Sequence, residues 1–143
     1  MAIKNTKFVY EVVDLASKAT SRQDKIKILK DNESWALKDI LRGSFDEVIR
    51  WNLPAGEVPY TPADPSSVPS SLFKQHQKFK YFAKGGPGDN MIPIKRETMF
   101  VRLMEAIHPG DAKLVESMIN KKPPAKGITK KLVQEAFPNL IVK

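Results

Sequence analysis

The sequence predicts an all-α protein, a compact domain of about eight short helices, and three observations lead there. Apolar residues recur at helical spacing in most segments, hydroxyl residues or prolines stand where helices should begin, and no two segments alternate like a hairpin. A chain of 143 residues closes one hydrophobic core and not two, so a single helical domain spanning 1–143 is expected.

Residues 6–19 put Phe8, Val12, Leu15 and Ala16 on one helical face, with Val9 and Val13 beside it. Thr20-Ser21-Arg22-Gln23 is a capping-box pattern that opens a second helix, running to about Lys30 with Ile26 and Leu29 on its buried side. Asn32 is the expected cap of a third helix carrying Trp35, Leu37, Ile40 and Leu41, and Gly43 its C-cap. Ser44-Phe45-Asp46-Glu47 reads as another capping box, starting a fourth helix with Val48, Ile49 and Trp51.

Residues 53–70 then break the pattern with Pro54, Pro59, Pro62, Pro65 and Pro69, a connector between two helical halves. An ordered strap pinned by Leu53, Val58 and Tyr60 is the expectation for a domain of this size. Helical pattern resumes at Ser70-Ser71 with Leu72, Phe73, Phe79 and Phe82, and stops at the Lys84–Asn90 turn. Pro93 leads into the most amphipathic segment, Met99, Phe100, Leu103, Met104 and Ile107. Pro109 opens a helix burying Leu114, Val115, Met118 and Ile119, and Thr129 caps a last one with Leu132, Val133, Ala136 and Phe137, stopped by Pro138.

The net charge of +8 is unevenly spread: residues 1–60 carry 10 Lys/Arg against 9 Asp/Glu, residues 61–143 carry 14 against 7. A basic excess in one half favours a polyanionic partner. No cysteine is present, which removes disulfides and thiolate chemistry. No apolar run reaches the roughly 20 residues of a membrane span, and Met1-Ala2-Ile3-Lys4-Asn5 lacks the apolar stretch of a secretory signal, so no membrane partner is expected.

Two turns attract attention as anion sites. At Lys126-Gly127-Ile128-Thr129-Lys130-Lys131 lysines crowd the start of a helix, whose unpaired N–H groups and partial positive charge suit a phosphate. A routine Thr cap with solvated lysines explains the same residues equally well. At Lys84-Gly85-Gly86 the glycines permit close backbone approach to a phosphate, with Lys95 and Arg96 nearby, although a tight helix connection is the simpler reading. Catalysis has no foothold: His76 and His108 stand apart, and no nucleophile elbow or carboxylate pair is evident, so no enzyme, metal or cofactor is expected. Phe73, Phe79, Phe82 and Phe100 are assigned to the core rather than to base stacking.

Read in order, "FVYEVVDLASKATSRQDKIKILKDN", "LFKQHQKFKYFAKGG", "KRETMFVRLMEAIHPGDAKLVESMI" and "NKKPPAKGITKKLVQEAFPNLI" resemble the helical DNA-binding domain that precedes the catalytic core of ATP-dependent DNA ligases. The resemblance covers about residues 7–53 and 71–141 as an order of elements, and implies a grip on duplex phosphates by glycine turns and helix starts. It carries Lys84, Gly85 and Gly86 onto the first turn of that grip, Arg96 onto the basic start of the next helix, and Lys126, Gly127, Thr129, Lys130 and Lys131 onto the last turn. Lys121-Lys122-Pro123-Pro124 departs from the family's pattern, yet supplies two more cations. No Lys-x-Asp-Gly adenylation motif occurs, so nick sealing is not implied.

"LPAGEVPYTPADP", "KRETMFVRLMEAIHPGDAKLV" and "KGITKKLVQEAFP" are similar to segments of small proteins encoded by tailed bacteriophages of marine bacteria, cyanophages among them, which implies a phage origin, and with it the host cytoplasm as location, more than an activity. The resulting expectation is non-catalytic, sequence-tolerant binding of double-stranded DNA in phage replication, repair or recombination. Two alternatives stand beside it: an adaptor docking on a host or phage replication or transcription protein through exposed Trp51 and Tyr60, and a minor virion component.

Overall fold

Helix α1 (Val9–Lys18) begins where the Glu11 carboxylate reaches back to accept the Phe8 N–H at 2.9 Å, and it buries Val9, Val12, Val13 and Ala16. Ser21 caps α2 (Arg22–Asp31) by accepting the Asp24 N–H, and Ser34 caps α3 (Trp35–Phe45) by accepting that of Leu37. Beyond the connector, α4 (Leu72–Gln75) runs into a 3₁₀ segment (His76–Tyr81) and a 3₁₀ turn (Pro87–Asn90), followed by α5 (Pro93–Ala106), α6 (Pro109–Ile119) and α7 (Lys130–Ala136). Pro93 and Pro109 occupy first turns, where a missing N–H leaves no bond unmade. This computed structural model describes residues 7–54 and 59–142. It is an all-α fold: among the described residues the pairing outside helices is an isolated antiparallel bridge between Trp51 and Ala83. No helix among them is long and apolar enough to cross a membrane.

Helix α6 is the hub, packing against α1, α3 and α5, while α2 joins α1 to α7. Gly43 lets α3 approach it, because a Cβ there would fall 2.6 Å from Met118 Sδ and from the Trp51 ring. Phe82 and Phe100 meet edge to face, centroids 5.2 Å apart, in the same buried cluster as Val115 and Met118. Truncating either ring should cost about 3–5 kcal/mol, the transfer free energy plus that of the cavity.

Residues 7–50 hold three helices, not four. α3 continues through Gly43 and Ser44, whose hydroxyl donates to Ile40 O at 2.8 Å instead of starting a new helix. Buried Asp46 turns the chain there, accepting the Val48 N–H on Oδ1 and the Val142 N–H on Oδ2. Asn32 closes α2 by donating its amide to Ile28 O, and the capping of α3 passes to Ser34. Leu15, expected in the core, is 43% exposed, since it lies roughly 110° around α1 from the centre of the buried face. Trp35 is 71% exposed because it lies on the face of α3 opposite buried Leu37, Ile40 and Leu41, and the Lys38 ammonium covers its ring at 4.8 Å.

The strap is held to α5: the Thr61 N–H donates to the Glu105 carboxylate at 2.7 Å and the Ser70 N–H to Ala106 O at 2.8 Å. Leu53 and Tyr60 lean on the core. Val58, the third expected pin, lies outside the described residues, as do Met1 to Asn5. Trp51 and Tyr60 are not exposed anchors. Both are half-buried, and the Trp51 indole N–H donates to Gly43 O at 3.1 Å while its ring stands edge-on to Phe79.

Candidate nucleic-acid interface

Two of the expected DNA-contacting cations serve the fold itself. Arg96 is only 7% exposed, and its guanidinium donates to Asn52 O, Gly88 O and Met91 O at 2.9, 3.1 and 3.2 Å. It ties the strap's start and the Pro87–Asn90 turn to α5, so it does not reach a phosphate. Lys121 adopts the left-handed region, φ 55°, just past the end of α6, and its ammonium donates to Gly43 O, Asp46 O and Ile49 O at 2.7–3.0 Å. A cation at the C-terminal carbonyls of α3 complements the helix dipole. Burial holds the ammonium pKa below its usual range, against the opposing pull of Asp46 and Glu47.

The two glycine turns adopt the backbone that their glycines permit, with Gly85 at φ 85° and Gly127 at φ 83°. At the first, both glycine amides are taken up by the protein, that of Gly86 by Ala83 O at 3.3 Å. The Gly85 N–H donates to Asp89 Oδ2 at 2.8 Å, which sets a carboxylate where a phosphate oxygen was expected. Gly86 is pressed against the 3₁₀ segment, since a Cβ would fall 2.5 Å from Lys80 O. At the other turn Thr129 accepts the Leu132 N–H, an ordinary cap. The Lys126 and Gly127 carbonyls point inward, accepting from the Ser17 hydroxyl at 2.6 Å and the Lys25 ammonium at 3.3 Å. Lys122, Lys126 and Lys131 are exposed, Lys130 is half-buried, and the Lys131 charge helps Arg22 hold the Glu135 carboxyl below its ordinary pKa.

The expected residues therefore occupy different places. Lys84, Gly85 and Gly86 flank one cleft, Lys126 and Gly127 sit against α1 and α2, and Lys95 belongs to a third location. That third location is a cleft of about 580 Å³ between the α4 region and α5, lined by Lys78, Lys95 and Arg102 together with Gln75, Ile94 and Met99. All three cations are exposed, and no carboxylate among the described residues lines the cleft. Ile94 stands 72% exposed at its edge. Sequence reasoning missed Lys78 and Arg102, which are 24 positions apart and share the cleft only because α5 packs beside the α4 region.

The cleft beside Lys84, also about 580 Å³, has an apolar floor that includes Trp51 and Phe79 and a rim that includes Arg42, Lys80 and Lys84. In its wall His76 Nδ1 lies 2.6 Å from Asp39 Oδ2, a pairing across 37 positions that no local pattern announces. Among the described residues, no three His, Asp or Glu side chains gather in a metal-sized group. His108 caps α6, its Nδ1 accepting the Gly110 N–H, and stacks on Tyr10 at 4.8 Å. Beside it Asp111 is fully buried: Oδ1 accepts the Tyr10 N–H, Oδ2 has no partner among the described residues, and burial raises its pKa to about 6. Burial, aided by the nearby Glu11 charge, thus outweighs the Tyr10 bond.

Fold and surface together define a small all-helical protein with basic clefts on an apolar core. The chain belongs to the family of unknown function DUF6433, whose sequence profile matches residues 12–123. No curated protein and no solved structure matches it.

Proposed function

We propose that the protein binds double-stranded DNA without sequence preference, through backbone phosphates, as a non-catalytic accessory to phage replication, repair or recombination in the host cytoplasm. The observation that carries this reading is the cleft in which Lys78, Lys95 and Arg102 stand together with no carboxylate lining it among the described residues. Like charges gathered on a surface repel one another, and an anion placed among them reverses that cost. Phosphates spaced along a duplex suit such a group, and Ile94 at the edge offers apolar contact to sugar faces. Exposed Lys84, Lys122, Lys126 and Lys131 extend the positive field, whereas Arg96 and Lys121 play no part. The resemblance to ligase DNA-binding domains and to marine phage proteins supports the same class of partner and the same setting. The two anchors of the adaptor reading, Trp51 and Tyr60, are half-buried, which favours the duplex reading over it.

The test is affinity for a fluorescent duplex across a range of salt concentrations. Each neutralised phosphate contributes about −0.9 to the slope of log affinity against log salt, so replacing Lys78, Lys95 and Arg102 with Ala should flatten that slope by about 2.7. Binding that is absent, or indifferent to salt, defeats the reading, and an unchanged slope in the triple variant defeats the site.

A further inference from the structure

We propose that the cleft beside Trp51 binds a nucleotide monophosphate, with the base over the indole and the phosphate among Arg42, Lys80 and Lys84. Its volume of about 580 Å³ falls within the roughly 300–1,000 Å³ usual for small-molecule sites. Its chemistry is divided as such a ligand requires. One side is apolar, with Ile49, Trp51 and Phe79; the rim carries three cations.

The platform is rigid before any ligand arrives. The Trp51 N–H is bonded to Gly43 O at 3.1 Å, and its ring stands at 83° to Phe79 with centroids 6.2 Å apart, so the indole has one fixed orientation. A base stacking on a preset indole loses little further side-chain entropy. His76 is oriented in the same way. Asp39 holds Nδ1 at 2.6 Å, which leaves Nε2, without a hydrogen bond among the described residues, as a polar group the wall offers a ligand.

The charges lining the cleft are also those an anion needs. Asp39 is engaged by His76, and Arg42 lies 3.7 Å from buried Asp46, while Lys80 and Lys84 are exposed and form no ion pair among the described residues. The inference does not rest on the duplex reading, because this cleft shares no lining residue with the one formed by Lys78, Lys95 and Arg102. A free nucleotide and the 5′-phosphorylated end of a strand present the same chemistry, and the experiment separates them.

The full chain carrying Trp35→Phe, which leaves Trp51 as the indole reporter, is titrated with deoxyadenosine monophosphate and with deoxyadenosine, and calorimetry on the unsubstituted chain checks the affinities. Saturable quenching by the monophosphate, at least about tenfold tighter than by the nucleoside, is the expected result, since charge-assisted bonds to phosphate are lost with that group. A parallel titration compares single strands with 5′-phosphate and 5′-hydroxyl ends; a preference for the phosphorylated strand without binding of the free nucleotide assigns the site to strand ends. Joint Lys80→Ala and Lys84→Ala replacement, at exposed positions, should weaken the bound form about tenfold while the thermal midpoint stays put. The proposal is overturned if neither nucleotide nor phosphorylated strand binds saturably, if the phosphate confers no advantage on either, or if the double variant binds unchanged. Nucleotide binding in a protein that ignores duplex DNA would remove the duplex reading alone.

Discussion

Arg96 and Lys121 carry the same charge as Lys78, Lys95 and Arg102, yet the two groups have opposite destinations. The first two each donate to three main-chain carbonyls and tie distant segments together. The other three face solvent in a cleft that no carboxylate lines among the described residues. Net charge counts all five alike. What separates them is whether the protein supplies acceptors of its own, because a cation provided with carbonyls stabilises the fold and one left without them is available to an outside anion.

Substitutions sharpen that contrast most at its buried end. Arg96→Ala leaves three carbonyls without their donor and should lower the unfolding free energy by about 3 kcal/mol or more, measured in urea, with no change in the duplex salt slope of the folded protein. A flattened slope would place Arg96 in the interface after all. Asp111 extends the contrast to acids. Its folded pKa of about 6 lies above the ordinary 3.8, so the stability it contributes is complete below pH 4 and is lost as pH rises through 6. The wild type should therefore lose up to about 3 kcal/mol relative to Asp111→Asn between pH 4 and 7; parallel stability curves would show that burial does not shift this carboxyl.

Lys121→Ala removes a cation from the end of α3 and should cost about 1–3 kcal/mol, again with the salt slope intact. The smallest stability effect belongs to the cleft. Ala at Lys78, Lys95 and Arg102 should each change stability by less than about 0.5 kcal/mol, as solvated side chains do, although together they remove most of the duplex affinity. A marked fall in thermal midpoint for any of them would mean that it, too, serves the fold.

Much of the helical framework was legible beforehand because its causes are local. Pro93, Pro109 and Thr129 start helices by backbone chemistry within one turn, and the stripe from Phe100 to Met104 meets the core as its spacing requires. Errors arose where one local pattern admits two outcomes. Ser44 has a hydroxyl suited to a cap, but inside α3 it bonds back to Ile40 O, and Asn32 ends one helix where it was expected to begin the next. The candidate site was less legible. Lysines at the start of a helix look alike whether or not a phosphate sits there, and only the inward-facing carbonyls of Lys126 and Gly127 show how that turn is used.

The sequence by itself determined that this is a helical protein with phenylalanines in its core and an excess of cations in its second half, since periodicity, caps and composition depend on neighbours within about four positions. Tertiary structure alone decided where each charge ends up. Arg96 finds Asn52 across 44 positions, His76 finds Asp39 across 37, and Lys121 finds Gly43 across 78, contacts set by how α3, α5 and α6 pack and not by any spacing along the chain.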